Sequence, residues 1–306
     1  MTTLISTSTS AFYERSVQDM TSLRKQAEAL QASLGSNQKL SRSSDDPVAA
    51  SRLRVLTRAD KLANIDETNA NRATADLTLT DSALSSFATF ITRARELATQ
   101  AATGTLTPTQ RSTIGVELDQ IYGNLVTLAN ARDSAGHALF GGESAGDAYQ
   151  LDASGNAVYI GTASSGELPI SEGQTVQRGL TGPEFLNFDA GGGPTNLLAV
   201  VKDLATALQS GPDPQGSANA SLTALGKGLE AVTTGQTLVG SRLSWIDLTT
   251  ERRTNLGELR ADEQEQIGAP DIGATIAQMQ QLMVVLEASQ AGFTKLAGLS
   301  LFNKIG

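Results

Sequence analysis

Ala49, Leu56, Ala63, Ala70, Leu77, Leu84, Ile91 and Ala98 stand seven residues apart without a break. Ala59, Ala73, Thr80, Phe87, Ala94 and Ala101 fill a companion seam. Sustained 3-4 spacing of this kind predicts long helices packed in the manner of a coiled coil. About 55 residues at 1.5 Å rise span roughly 80 Å, far beyond a helix of a globular domain. Small side chains at many seam positions let neighbouring helices approach closely.

Other segments repeat the pattern. Phe12, Ser16, Met20, Leu23, Ala27, Leu30 and Leu34 step by four and three. Ile114, Leu118, Ile121, Leu125 and Leu128 form a third stripe. Leu222, Leu225, Leu229, Val232, Val239, Leu243, Ile246 and Arg253 continue it in the second half, where Trp245 reads as core. In the last stretch Ile272, Met279, Leu286 and Phe293 are seven apart, with Ile276 and Met283 four after the first two. Asp46-Pro47 reads as an N-cap with proline at the first helical position. Thr107-Pro108-Thr109-Gln110 reads as a capping box. A short helix is expected over 196–209, and the last one starts at Asp271 after Pro270.

The middle breaks the helical period. Residues 1–100 contain one glycine, Gly35, whereas 136–193 contain thirteen. Five of the eight prolines fall between 169 and 214. Both residues disfavour helix interiors and mark turns. Segments 149–151 and 157–160 flank Asp-Ala-Ser-Gly-Asn, a hairpin signal, and 168–170 with 174–177 suggest a second pair of strands. Residues 137–195 hold seven acids and one base, a net of -6, against -9 for the whole chain. The expected fold is therefore mainly α with a small inserted β domain: 1–42 and 270–306 as paired terminal helices, 43–136 and 196–269 as a helical bundle, 137–195 as the β insertion.

Composition closes off most chemistry. The chain has no cysteine, which excludes disulfides, thiolate nucleophiles and zinc–thiolate sites. His137 is the one histidine, and no Gly-x-Ser-x-Gly follows a strand, so a structural histidine at the helix-to-β junction is expected. Gly141-Gly142 and Gly191-Gly192-Gly193 lack a following Lys-Ser/Thr and read as hinges rather than phosphate cradles. Asp45 and Asp46 are too few oxygen ligands for a cation. Asp262, Glu263 and Glu265 read as a solvated face. No catalytic, cofactor or metal site is expected. The acidic balance argues against nucleic acid, and no apolar run is long enough for a membrane span. The stripes over 12–34 and 272–293 nonetheless need burial. A dimer, an intramolecular hairpin and a polymer subunit all satisfy that need.

Four stretches carry a resemblance to a known family. They are Ser44-Asp45-Asp46-Pro47-Val48-Ala49-Ala50-Ser51; Arg93-Ala-Arg-Glu-Leu-Ala98 with Ala101-Ala-Thr-Gly104-Thr-Leu-Thr107; Leu128-Ala-Asn-Ala-Arg-Asp133 leading to Leu139-Phe140-Gly141-Gly142; and Leu286-Glu-Ala-Ser289 with Leu299-Ser-Leu-Phe302. The chain resembles the bacterial flagellins. Leu-Phe-Gly-Gly, Tyr159-Ile160-Gly161 and Gly182-Pro-Glu-Phe185 look more like the members that join hook to filament than like the filament protein itself. The resemblance implies paired N- and C-terminal helices lining a tubular assembly, with the β domain outward. It implies a non-enzymatic structural adaptor, exported through the flagellar type III apparatus and located outside the cell. The implied partners are further copies of the chain in a ring, the preceding hook-associated protein, flagellin and an export chaperone. The expected contact residues are Phe12, Met20, Leu23, Leu30 and Leu34, then Ile272, Ile276, Met279, Met283, Leu286, Phe293, Leu299, Leu301 and Phe302. The alternative implied role is a subunit of the filament itself.

Overall fold

A computed structural model describes the backbone of residues 3–40 and 42–305, and the side chains of 11–40 and 42–296. The chain runs α1 (Thr3–Ser36), α2 (Pro47–Ala102), α3 (Pro108–Ala129), β1 (Tyr149–Leu151), β2 (Ala157–Tyr159), β3 (Glu167–Ser171), β4 (Gln174–Gln177), α4 (Gly182–Leu186), β5 (Asn187–Asp189), β6 (Pro194–Asn196), α5 (Leu197–Ser210), α6 (Pro214–Gly268) and α7 (Ile272–Ile305). The fold is mainly helical with inserted β structure, as the periodicity predicts. The caps sit where the sequence puts them. Asp46 Oδ1 accepts from the N–H groups of Val48 and Ala49. Thr107 and Gln110 form a reciprocal capping box at α3. Asn196 caps α5 through Leu198 N–H, and Asp271 accepts from Ala274 N–H ahead of α7.

The chain divides into two compact units, a terminal unit of Met1–Lys61 with Leu256–Gly306 and a central unit of Leu62–Asn255. The central unit holds the apolar core. Leu77, Leu84, Phe87, Ile91 and Leu97 of α2 are buried, with Leu118 and Leu125 of α3, Leu198 and Val201 of α5, and Leu225, Val232 and Val239 of α6. Helix α3 lies against α5 at Gly115, where a side-chain Cβ would come 2.9 Å from the Ala205 carbonyl oxygen. Only glycine permits that approach. Phe87 meets Phe140 and Phe185, with ring centroids 6.1 and 5.3 Å away, which plugs the β insertion into the helical core. Trp245, expected in that core, is 44% exposed, while Ile246 beside it takes the buried position.

The β residues do not form one sheet. They form three separate antiparallel pairs, β1–β2, β3–β4 and β5–β6. The last pair has no hairpin signal in the sequence, and its turn is the glycine run 191–193: Gly191 and Gly193 have φ of +92° and +119°. Those residues form a hairpin turn rather than a hinge. Two-stranded ribbons are marginal alone, and each is tied to helices of its own unit. Asn130, the C-cap of α3, grips β1 from both sides. Its Oδ1 accepts from the N–H groups of Ala148 and Tyr149, and its Nδ2 donates to Tyr149 O. Arg253, on the predicted stripe of α6, donates to Ile170 O at 3.1 Å and Asn69 Nδ2 donates to Pro169 O at 2.9 Å, which together hold β3.

Candidate assembly interface

In the terminal unit α1 and α7 pack on each other, and they do so with seams of alternating three and four. The half-buried positions of α1 include Tyr13, Ser16, Met20, Leu23, Ala27, Leu30 and Leu34. Those of α7 include Thr275, Met279, Leu282, Leu286, Ser289 and Phe293. The Tyr13 and Phe293 rings meet edge-on at 5.3 Å, and Tyr13 hydroxyl donates to Leu296 O at 3.3 Å. No described side chain of α1 or α7 is fully buried. A two-helix pair leaves each seam open to water along both flanks.

The residues expected at this interface divide into two sets. Met20, Leu23, Leu30 and Leu34 face α7, while Met279, Leu286 and Phe293 face α1. Phe12 points away at 49% exposure, since Tyr13 stands three before Ser16 and so keeps the alternation. Ile276 and Met283 flank the seam, at 38% and 57% exposure, and Ile272, on the seam side but first in the helix, is 58% exposed. Leu282 takes the seam place next to Met279. Val284, 66% exposed, adds to the flank. Leu299, Leu301 and Phe302 lie outside the described side chains. A helix apolar around its circumference is normally buried on more than one side. Here α1 covers one side of α7, and the flank bearing Ile276, Met283 and Val284 is bare.

Where α2 and α6 run antiparallel in the same unit, ion pairs join them beside the buried Leu56. Arg52 holds Glu263 with two hydrogen bonds, at 2.5 and 2.7 Å. Asp60 accepts from Arg260 at 2.7 Å and from Gln264. The Arg52 hydrogen bond keeps the Glu263 carboxyl below its usual range, and the Arg260 hydrogen bond does the same for Asp60. Glu263, read as solvated, is thus a helix-pair contact. No local spacing marks it, because its partner lies about two hundred residues away in the chain.

A catalytic arrangement is not present among the described residues. His137 Nδ1 is 3.5 Å from Asp133 Oδ2. Asp133 already accepts from the N–H groups of Ala135 and His137 and from Arg178. The cavity beside them holds about 20 Å³, room for a water molecule and not for a substrate. No cluster of metal-ligating side chains occurs among the described residues, and no described helix is long and apolar enough to cross a membrane.

The pattern of the bacterial flagellin N-terminal helical region matches residues 5–145. The chain thus carries the N-terminal region of the flagellin family. Over its full length it is 27% identical, across 318 residues, to flagellar hook-associated protein 3 of Escherichia coli (strain K12), covering 97% of this chain and 98% of that one. It is 27% identical over 317 residues to the protein of the same name from Salmonella typhimurium (strain LT2), with the same coverage. Among solved structures, the flagellar junction protein FlgL from Legionella pneumophila shares the fold. Its TM-score is 0.60 at 15% identity, over 71% of this chain and 99% of that one.

Proposed function

We propose that this chain is a structural, non-enzymatic flagellin-family subunit of the bacterial flagellum at the hook–filament junction. The observation that carries the reading is the terminal helix pair. Helices α1 and α7 pack together yet bury no described side chain completely, and α7 leaves Ile272, Ile276, Met283 and Val284 bare. Apolar surface in such a stripe is stabilised by removal from water at about 25 cal/mol per Å². A single copy cannot supply the cover, whereas neighbours repeated around an axis can. Full-length similarity to proteins named flagellar hook-associated protein 3 supports the place of that assembly.

In this reading the inward stripe closes the pair and the outward stripe meets neighbouring axial subunits. Those neighbours are further copies, the preceding hook-associated protein on one side and flagellin on the other. An export chaperone covers the C-terminal stripe before assembly. The Leu299, Leu301 and Phe302 segment is assigned to the same contact. Deletion of the gene tests the reading. Cells should carry hooks without filaments and release flagellin into the medium, and the intact gene should restore filaments. Normal filaments on deleted cells would overturn it. Abundance distinguishes a filament subunit from an adaptor: sheared filaments should contain this chain only in trace amount.

A further inference from the structure

Charge is segregated across the α2–α6 ribbon of the terminal unit. Residues 47–61 carry four bases and one acid, a net of +3, while 256–268 carry four acids and one base, a net of -3. Two bonds inside the ribbon, Arg52–Glu263 and Arg260–Asp60, use one charge of each sign from each helix. Arg54, Arg58 and Lys61 are left on α2, and Glu258, Asp262 and Glu265 on α6. All six are exposed and none makes an ion pair. At about 100° per residue these triplets fall on the sides of their helices turned away from the ion-paired seam. The ribbon therefore has one basic outer edge and one acidic outer edge. Three exposed apolar side chains, Val48 and Val55 of α2 and Leu259 of α6, lie between seam and edge. Because the helices are antiparallel, the same periodicity turns all three to one face of the ribbon.

An edge of one sign on each side does not complement itself, which disfavours a two-fold dimer through either edge. It does complement the opposite edge of a second copy. We propose that copies of this chain meet side by side through this ribbon, Arg54, Arg58 and Lys61 of one against Glu258, Asp262 and Glu265 of the next. Such a heterologous contact repeats from copy to copy and closes into a ring or continues as a helix. Complementary edges set register and exclude the reversed approach, in which like charges meet. The flanking apolar side chains leave water as the edges close. The contact weakens with added salt because the charges are exposed. The inference rests on the reading of the chain as a repeated flagellar subunit.

Charge reversal in a deletion strain tests it. Arg54→Glu with Arg58→Glu, and separately Asp262→Lys with Glu265→Lys, should each lose filaments. All four changes in one chain should restore them, because the edges again differ in sign; a variant that merely failed to fold would not be rescued by two more changes. Filaments from either double variant, or no restoration by the fourfold one, overturn the contact. The absence of native cysteine allows a direct second reading. Arg58→Cys with Glu265→Cys in one chain, oxidised in intact flagella, should give a ladder of multiples, while either single change gives monomer. Monomer alone from the four pairings of Arg54 or Arg58 with Asp262 or Glu265 overturns the proposal. So does a photo-crosslinker at position 58 that captures a different protein. If the unaltered gene fails to restore filaments, the junction reading falls instead. If it restores them and the reversals do too, only the edge-to-edge contact falls.

Discussion

Arg178 ties the β insertion to helix α2 within the central unit. Its Nε donates to Asp76 of α2 and its Nη2 to Asp133, each at 2.6 Å. Both carboxylates are nearly out of water, with side chains 7% and 4% exposed. Burial alone would push the Asp133 carboxyl up. The His137 and Ala135 N–H groups and the Arg178 charge outweigh burial and hold it below the usual value. A lowered carboxylate pKa contributes stability that is present above the unfolded value and lost as pH falls through the folded one. Arg178→Gln should therefore act in two ways. It leaves two buried acids without their cation, a loss of about 3 kcal/mol, visible in urea unfolding of the full chain. It also makes the acid limb shallower, since an Asp133 held down less firmly gives up less stability as pH falls. An unchanged acid limb would show that Arg178 does not set the Asp133 charge. None of this cluster is legible in the sequence, because Asp76, Asp133 and Arg178 lie on three distant segments and share no spacing. Local caps are legible for the opposite reason: Thr107 and Gln110 are three residues apart, and geometry does the rest.

At the scale of elements, periodicity reveals which residues form helices but not always which way they face. Helix α2 alternates apolar and polar sides, so its seam through Leu77, Leu84 and Ile91 is read directly, and all three are buried. Helix α7 is apolar on two sides. Heptad counting from Ile272 finds Met279, Leu286 and Phe293, but cannot decide between Leu282 and Met283 as their companion. Packing against α1 decides for Leu282 and leaves Met283 outside. Similarly, the glycine run before Pro194 is recognisable as a break, yet its role as a hairpin turn depends on β5 and β6 pairing across it. The two faces of α7 make separable predictions. Met279→Asp with Leu286→Asp puts charge into the α1 seam, and far-ultraviolet circular dichroism of the isolated chain should show lost helix. Ile276→Asp with Met283→Asp leaves that seam intact, so helix content should hold while filament assembly fails. Equal helix loss from both pairs would mean that the two faces are not distinct.

Across the whole molecule, burial is distributed unequally between the two units. Among described residues the buried apolar side chains of the terminal unit are Ala50, Leu56 and Pro270, and the rest belong to the central unit. Exposed ion pairs such as Arg52–Glu263 contribute about 0–1 kcal/mol each and do not replace a core. The terminal unit should therefore open at lower free energy than the central one, although α2 and α6 run through both. Hydrogen exchange on the isolated chain should show early exchange of α1, α7 and residues 47–61 and 256–268. The α2 segment around Leu84 and Phe87 should be protected longest. In intact flagella the same terminal amides should become slow, because neighbours then cover the bare side of α7 and the edges of the ribbon. Protection of the terminal unit equal to that of the central unit in the free chain would show that α1 and α7 need no neighbour, and would remove the observation on which the adaptor reading rests. Slow exchange appearing only on assembly would tie the unequal burial of a single copy to its place among others.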